Sequence, residues 1–228
     1  MSSRCPVAPG HHKSNLSLQL TTVAAGTRLV RFHGGTWPAH SFNPNTGKRI
    51  DVPTDGARFN PFPGTGGINV PTLYAADDVE RAALESVFHD VPHIPSPAFA
   101  RSQLTAWRYN RIEVLRDLSV LELDNPHLRQ LKVRGRKPSL NESELIHTPP
   151  VQYPRTRTWA RFLHDSLPNL DGLAWRPRLG GGTKWAYVFF GDRCNGTLRE
   201  QLPAVLVDSG DGLAEIERIA AKASIRLV

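Results

Sequence analysis

The chain has 228 residues, with 28 Lys+Arg against 21 Asp+Glu and a formal charge of +7 at pH 7. A hydrophobic fraction of 39%, with 8% aromatics, supplies a real core and excludes wholesale disorder, and no apolar run reaches the about 18 residues a membrane helix needs. Two cysteines, Cys5 and Cys194, are too few for a disulfide scaffold or a four-cysteine zinc site, and they fit a reducing compartment with one disulfide left open.

Residues 1–26 read as a loose leader without the apolar stretch of a secretion signal, so a cytoplasmic protein is expected. A strand follows at 27–33, with Leu29, Arg31 and His33 on one face and Arg28, Val30 and Phe32 on the other. Residues 34–71 are rich in Gly, Pro, Asn and Thr. A loop this long is usually functional or disordered, and it is expected to cover one end of a cleft. A short strand at 72–76 leads into a helix capped by Asp77 or Asp78 and running to about residue 89. Strands are expected at 109–115 and 118–123, and Asn125-Pro126 opens a short helix. Residues 132–150 read as a basic, proline-containing connector. A helix at 155–167, strands at 173–175, 185–190 and 204–207, and an amphipathic helix at 212–224 complete the chain. Strands and helices mix without a regular strand–helix–strand beat, which points to an α+β fold in a single domain from 27 to 228.

Familiar motifs fail. Gly64-Thr-Gly66-Gly67 lacks the third glycine of a dinucleotide fingerprint, and Gly180-Gly-Gly-Thr-Lys184 has the wrong order for a Walker A loop. H-E-x-x-H, G-x-S-x-G and C-x-x-C are absent, and no metal site is expected. What remains is an ordered set: Arg31-Phe-His33, Arg58-Phe-Asn60, Leu73-Tyr74-Ala75 and Ala83-Leu84-Glu85. Late in the chain follow Asp171-Gly-Leu-Ala-Trp175-Arg-Pro-Arg178 and Val188-Phe-Phe190-Gly-Asp-Arg193. In order and spacing this set, from about residue 27 to 193, resembles the RES domain family of toxins from bacterial toxin–antitoxin pairs.

The resemblance implies an ADP-ribosyltransferase-like fold: central β-sheets, flanking helices and a long Gly/Pro-rich loop. It implies cleavage of the nicotinamide–ribose bond of NAD⁺ by phosphorolysis, hydrolysis or ADP-ribosyl transfer. NAD⁺ is then a substrate, no cofactor is needed, and inorganic phosphate is an optional co-substrate. The matched positions imply an NAD⁺ site lined by Arg31, Phe32, Arg58, Tyr74, Glu85 and Trp175, with Arg31 and Glu85 as catalytic candidates. An antitoxin with a DNA-binding domain is the implied partner, and a homodimer is left open. Pro177 departs from the pattern by standing where the family has serine, with Trp175 and Arg178 at the flanking aromatic and arginine positions. Thr183 and the backbone of 180–182 are the substitutes at hand.

The residue types suit this chemistry on their own terms. Guanidinium groups recognise pyrophosphate in bidentate fashion, an aromatic wall suits nicotinamide and ribose, and a carboxylate stabilises the cationic sugar that forms on cleavage. Simpler readings stand beside it. Arg31 suits an edge-strand arginine with a solvated head, His33 a satisfied structural histidine, Tyr74 core packing, and Glu85 an exposed pair with Arg81 four residues earlier. The basic run of Lys132, Arg134, Arg136, Lys137, Arg155, Arg157 and Arg161 suits a solvated face, or a nucleic-acid-binding surface as an alternative function. A catalytically inactive partner-binding protein on the same scaffold is the remaining alternative.

Overall fold

In a computed structural model, which describes residues 5–9, 16, 18–89, 91, 94–131, 140–177 and 183–228, the strands are β1 (Thr21–Val23), β2 (Arg28–His33), β3 (Thr72–Ala76), β4 (Ala98–Phe99), β5 (Arg108–Val114), β6 (Leu118–Glu122), β7 (Gly172–Trp175), β8 (Ala186–Phe190), β9 (Leu198–Leu206) and β10 (Arg226–Leu227). The helices are α1 (Val79–Leu84), α2 (Asn125–Leu128), α3 (Glu142–Leu145), α4 (Tyr153–Ser166), α5 (Gly191–Cys194) and α6 (Gly210–Lys222). Eight strands form one sheet in the order β1-β6-β7-β8-β3-β2-β5-β9, and β4 and β10 form a small parallel pair. Within the large sheet only β6 and β7 run parallel. The chain is therefore mixed α+β, and its second half threads back into the sheet its first half began: β7 pairs with β6, and β8 with β3.

Alternation along the strands divides the core. Val30, Phe32, Leu121, Leu173, Trp175, Val188 and Phe190 face the helices, where they meet Leu84, Trp159, Leu163, Ile216 and Ile219. Leu29, Leu73, Ala75, Ile112, Val120, Ala174, Tyr187 and Phe189 build a second cluster on the opposite face, drawn almost wholly from the curled sheet itself. Helix α4 carries Pro154 in its first turn, where no intrahelical donor is lost. Helix α3 is closed by a reciprocal capping box between Asn141 and Glu144.

Several boundaries differ from the sequence reading. The helix expected to reach residue 89 stops at Leu84, where Glu85 is already its C-cap. The strand expected at 204–207 is β9, which begins earlier, at Leu198, because residues 198–201 pair with β5. Helix α3 lies inside the presumed connector, whose residues 132–139, with Lys132, Arg134, Arg136 and Lys137, fall outside the described residues. Part of the described leader is packed, although Val7, Thr21 and Thr22 stay exposed. Cys5 is buried, its N–H donates to Gln152 Oε1 at 2.5 Å, the Pro6 carbonyl accepts from Trp159 Nε1 at 3.0 Å, and β1 joins the sheet. Both cysteines are buried and neither is in a disulfide. Among the described residues no helix is long and apolar enough to cross a membrane.

A candidate active-site cleft

Strands β2 and β3 are adjacent but register at only one position, Val30 opposite Ala76. Beyond it they diverge, and a cleft of about 450 Å³ opens in the fork, within the about 300–1,000 Å³ usual for small-molecule sites. Arg31 and Phe32 line it from β2, Thr72 and Tyr74 from β3, and Glu85, Ser86 and His89 from the end of α1 and the turn beyond it. The far wall is the long loop, through Asn43, Asn45, Lys48, residues 54–58 and Asn60. Five of the six residues named from the sequence meet here.

Arg31 is half-buried, and its Nη1 donates to the carbonyls of Ala39 and Ser41 at 2.9 and 2.5 Å. Burial pushes its pKa down to about 10, against the pull of Glu200, so it stays charged at neutral pH. Arg58 is buried at 8% exposure, and its Nη1 lies 3.5 Å from Glu85 Oε2. Its Nε is buried without a hydrogen-bond partner. An orphaned donor on a buried cation costs about 1–3 kcal/mol or more, and an anion in the cleft would satisfy it. The Glu85–Arg81 pair anticipated as the simpler reading does not form. Arg81 Nη1 meets Glu80 at 2.5 Å, while the helix ends early enough to turn Glu85 toward the loop.

Trp175 departs from its expected place. It is 1% exposed and does not line the cleft; it borders a small cavity behind it that shares Phe32, Tyr74, Glu85 and Ser86. Its Nε1 donates to Glu85 Oε2 at 3.2 Å, and its ring meets Phe59 and Tyr74 edge-on at 5.3 and 6.0 Å. Trp175 thus supports the carboxylate from the core side. One oxygen of Glu85 is committed to Trp175 and Arg58, and no partner is found among the described residues for the other.

The Tyr74 hydroxyl is bound inward, donating to Asn60 Oδ1 at 2.9 Å and accepting from the Phe59 N–H at 3.2 Å. Burial holds its pKa above the ordinary phenol range, so it remains a neutral donor. Asn60 passes the network to Asn45 Oδ1 at 2.7 Å, and Asn45 donates to the Val70 carbonyl and Thr72 Oγ1 at 3.0 and 3.2 Å. This buried amide chain ties the loop to β3. It was not anticipated as part of the site, although Asn60 lies within one of the motif triplets. His33 is a satisfied structural histidine, with Nε2 2.9 Å from Asn110 Oδ1 and Nδ1 2.8 Å from the Gly34 carbonyl.

Arg157 was also missed, having been grouped with a solvated basic run. It is fully buried on α4, and six loop carbonyls surround it: Arg49, Ile50, Val52, Pro53, Gly56 and Ala57, at 2.6 to 3.4 Å. Its i+3 and i+7 neighbours, Ala160 and His164, are buried with it, but a face of arginine, alanine and histidine shows no apolar period in the sequence. Arg155 donates to the Cys5 carbonyl at 2.8 Å, and Arg161 pairs with Asp165 at 3.5 Å. Of the described part of the basic run, Arg155 and Arg157 are therefore turned to the protein's own carbonyls, while Arg161 stays on the surface. Pro177 is buried and Thr183 exposed, while Arg178 and residues 180–182 fall outside the described residues. Among the described residues Glu122, Asp124 and His127 form a group of metal-ligand types, but Asp124 is already committed to capping α2 and to His127 Nδ1 at 2.6 Å, and none of the three lines the cleft.

The sequence model of the RES domain matches residues 28–208, which includes every cleft-lining side chain named above. No curated protein matches the chain.

Proposed function

Because the chain belongs to the RES domain family, whose domains are NAD-related and of toxin–antitoxin type, we propose that it cleaves the nicotinamide–ribose bond of NAD⁺ and acts as the toxin of a toxin–antitoxin pair. The observation that carries this reading is the convergence of Arg31, Phe32, Arg58, Tyr74 and Glu85 on one cleft. The two guanidiniums match the pyrophosphate, and Phe32 gives an aromatic wall. Cleavage breaks the C1′–N1 bond. Nicotinamide leaves with the electron pair, which neutralises its ring, and positive charge builds on the ribose. Glu85, with one oxygen held by Trp175 and Arg58, keeps the other for the ribose hydroxyls or the developing cation. The acceptor at C1′ is phosphate, water or a protein nucleophile; phosphate suits the cationic cleft.

The proposed partner is an antitoxin that places a carboxylate or a blocking segment against Arg31 and Arg58. Arg31→Ala and Glu85→Ala should each slow NAD⁺ loss by on the order of 10²-fold, measured on purified protein with and without phosphate. Wild-type rates in both variants would overturn the assignment. Growth arrest on expression, relieved by the neighbouring open reading frame, tests the toxin role separately.

A further inference from the structure

The far wall of the cleft has an unusual construction. Arg157 is a fully buried guanidinium whose hydrogen bonds go to backbone carbonyls, not to a carboxylate. Nε holds the Ala57 carbonyl at 3.0 Å, Nη2 holds Gly56 and Pro53 at 2.8 and 3.1 Å, and Nη1 holds Val52 at 2.6 Å. The neighbouring Thr156 hydroxyl donates to the Arg58 carbonyl. Gly56 allows the chain to fold this tightly: a Cβ there would lie 2.5 Å from the Asn60 carbonyl oxygen.

A trans peptide points its N–H opposite to its C=O. With the Gly56 and Ala57 carbonyls turned onto Arg157, the N–H groups of Ala57 and Arg58 are turned away from it. Neither N–H has a hydrogen-bond partner among the described residues, and both residues line the cleft. The orphaned Nε of Arg58, a side chain nine-tenths buried, belongs to the same stretch. Successive backbone N–H groups of this kind form anion-binding concavities.

We infer that Arg157 is a positioning residue: its guanidinium gathers the loop carbonyls so that the Ala57 and Arg58 N–H groups and the Arg58 side chain form one preorganised anion cradle in the cleft, suited to a phosphate or pyrophosphate group. The cradle deepens the NAD⁺ reading by assigning the place of the diphosphate, but its existence can be tested without any turnover. Lysine at 157 would keep the charge yet reach few of the carbonyls, because an ammonium lacks the planar fork.

The experiment is calorimetric titration of inorganic pyrophosphate into wild-type protein, Arg157→Lys and Arg155→Lys, with melting curves for each. Arg155 sits on the same helix and holds Cys5, away from the loop. Wild type and Arg155→Lys should bind alike, and Arg157→Lys at least tenfold more weakly. In NAD⁺ turnover Arg157→Lys should raise KM by a similar factor and leave kcat within threefold, a split that general loss of fold would not produce. Equal pyrophosphate affinity in wild type and a folded Arg157→Lys would overturn the inference, as would no binding to wild type. Should Arg157→Lys fail to fold, amide NMR of the wild-type protein decides: pyrophosphate that shifts the Ala57 and Arg58 N–H signals supports the cradle, and bound pyrophosphate that leaves both unmoved overturns it. Pyrophosphate binding that depends on Arg157 without NAD⁺ loss by wild type would sustain the cradle and overturn the proposed reaction instead.

Discussion

Strand β3 is paired along its whole length with β8, five residues against five, and at a single position with β2. On the β8 side, Leu73 lies beside Phe189 and Ala75 beside Tyr187, and backbone groups satisfy one another. On the β2 side, the strand leaves its neighbour and its polar groups look elsewhere. Loop residue Asn43 takes over at Thr72, exchanging backbone hydrogen bonds of 2.8 and 2.9 Å, and the Tyr74 hydroxyl turns to Asn60 and Phe59. Buried backbone polar groups are nearly always paired. A closed ladder therefore makes a core, whereas an open fork recruits a polar loop and makes a site. The same strand does both.

The comparison predicts a separation of effects. On the paired side, Leu173→Ala empties a fully buried position on β7 and should cost about 2–5 kcal/mol of stability, while NAD⁺ loss per folded molecule stays at the wild-type rate. A melting temperature within a degree or two of wild type would break the contrast. At the fork, Glu85→Gln keeps the side chain's shape and its acceptor for Trp175. It should slow NAD⁺ loss by about 10²–10³-fold, or ~2.7–4 kcal/mol on the barrier, with little change in melting temperature. Undiminished turnover would remove the carboxylate from the chemistry.

Trp175 straddles the two regions, on a fully paired strand with its indole reaching the fork. Trp175→Phe keeps an aromatic ring against Phe59 and Tyr74 and removes the N–H. A loss of kcat of about tenfold, ~1.4 kcal/mol, with KM nearly unchanged is expected. An equal loss in Trp175→Phe and Trp175→Ala would show that packing, not the hydrogen bond, supports Glu85.

The smallest effect belongs to the paired side and is read against pH. Asp171, just before β7, accepts two bonds from Arg116 at 2.8 and 3.0 Å and one from the Ser119 N–H at 2.8 Å. Burial would raise its pKa, but these bonds outweigh it and hold the carboxyl below its usual range. The unfolded chain therefore takes up the proton first. The stabilisation is complete above about pH 4, the ordinary aspartate value, and is lost as pH falls through the lower folded value. Asp171→Asn should flatten this acid limb of the stability curve, and an unchanged limb would assign it to other carboxylates.

The amino-acid pattern alone made legible most strands of the large sheet and the two longest helices, because burial on one face of a regular element imposes a period that can be read without the partner, whereas the two- and three-residue strands β1, β4 and β10 are too short to show one. It also placed Arg31, Phe32, Arg58, Tyr74 and Glu85 in one ordered set, through short motifs whose spacing survives in a single chain. What joins them is settled by contacts between distant segments of the chain. The loss of pairing between β2 and β3, the turn of Glu85 away from Arg81 toward Arg58, the placing of Trp175 behind the carboxylate, and the burial of Arg157 against six carbonyls all depend on residues 27 to 108 positions apart. Loops carry no period, and a carbonyl acceptor has no sequence signal, since every residue has one. A buried arginine solvated by backbone therefore looks, in the sequence, like one solvated by water.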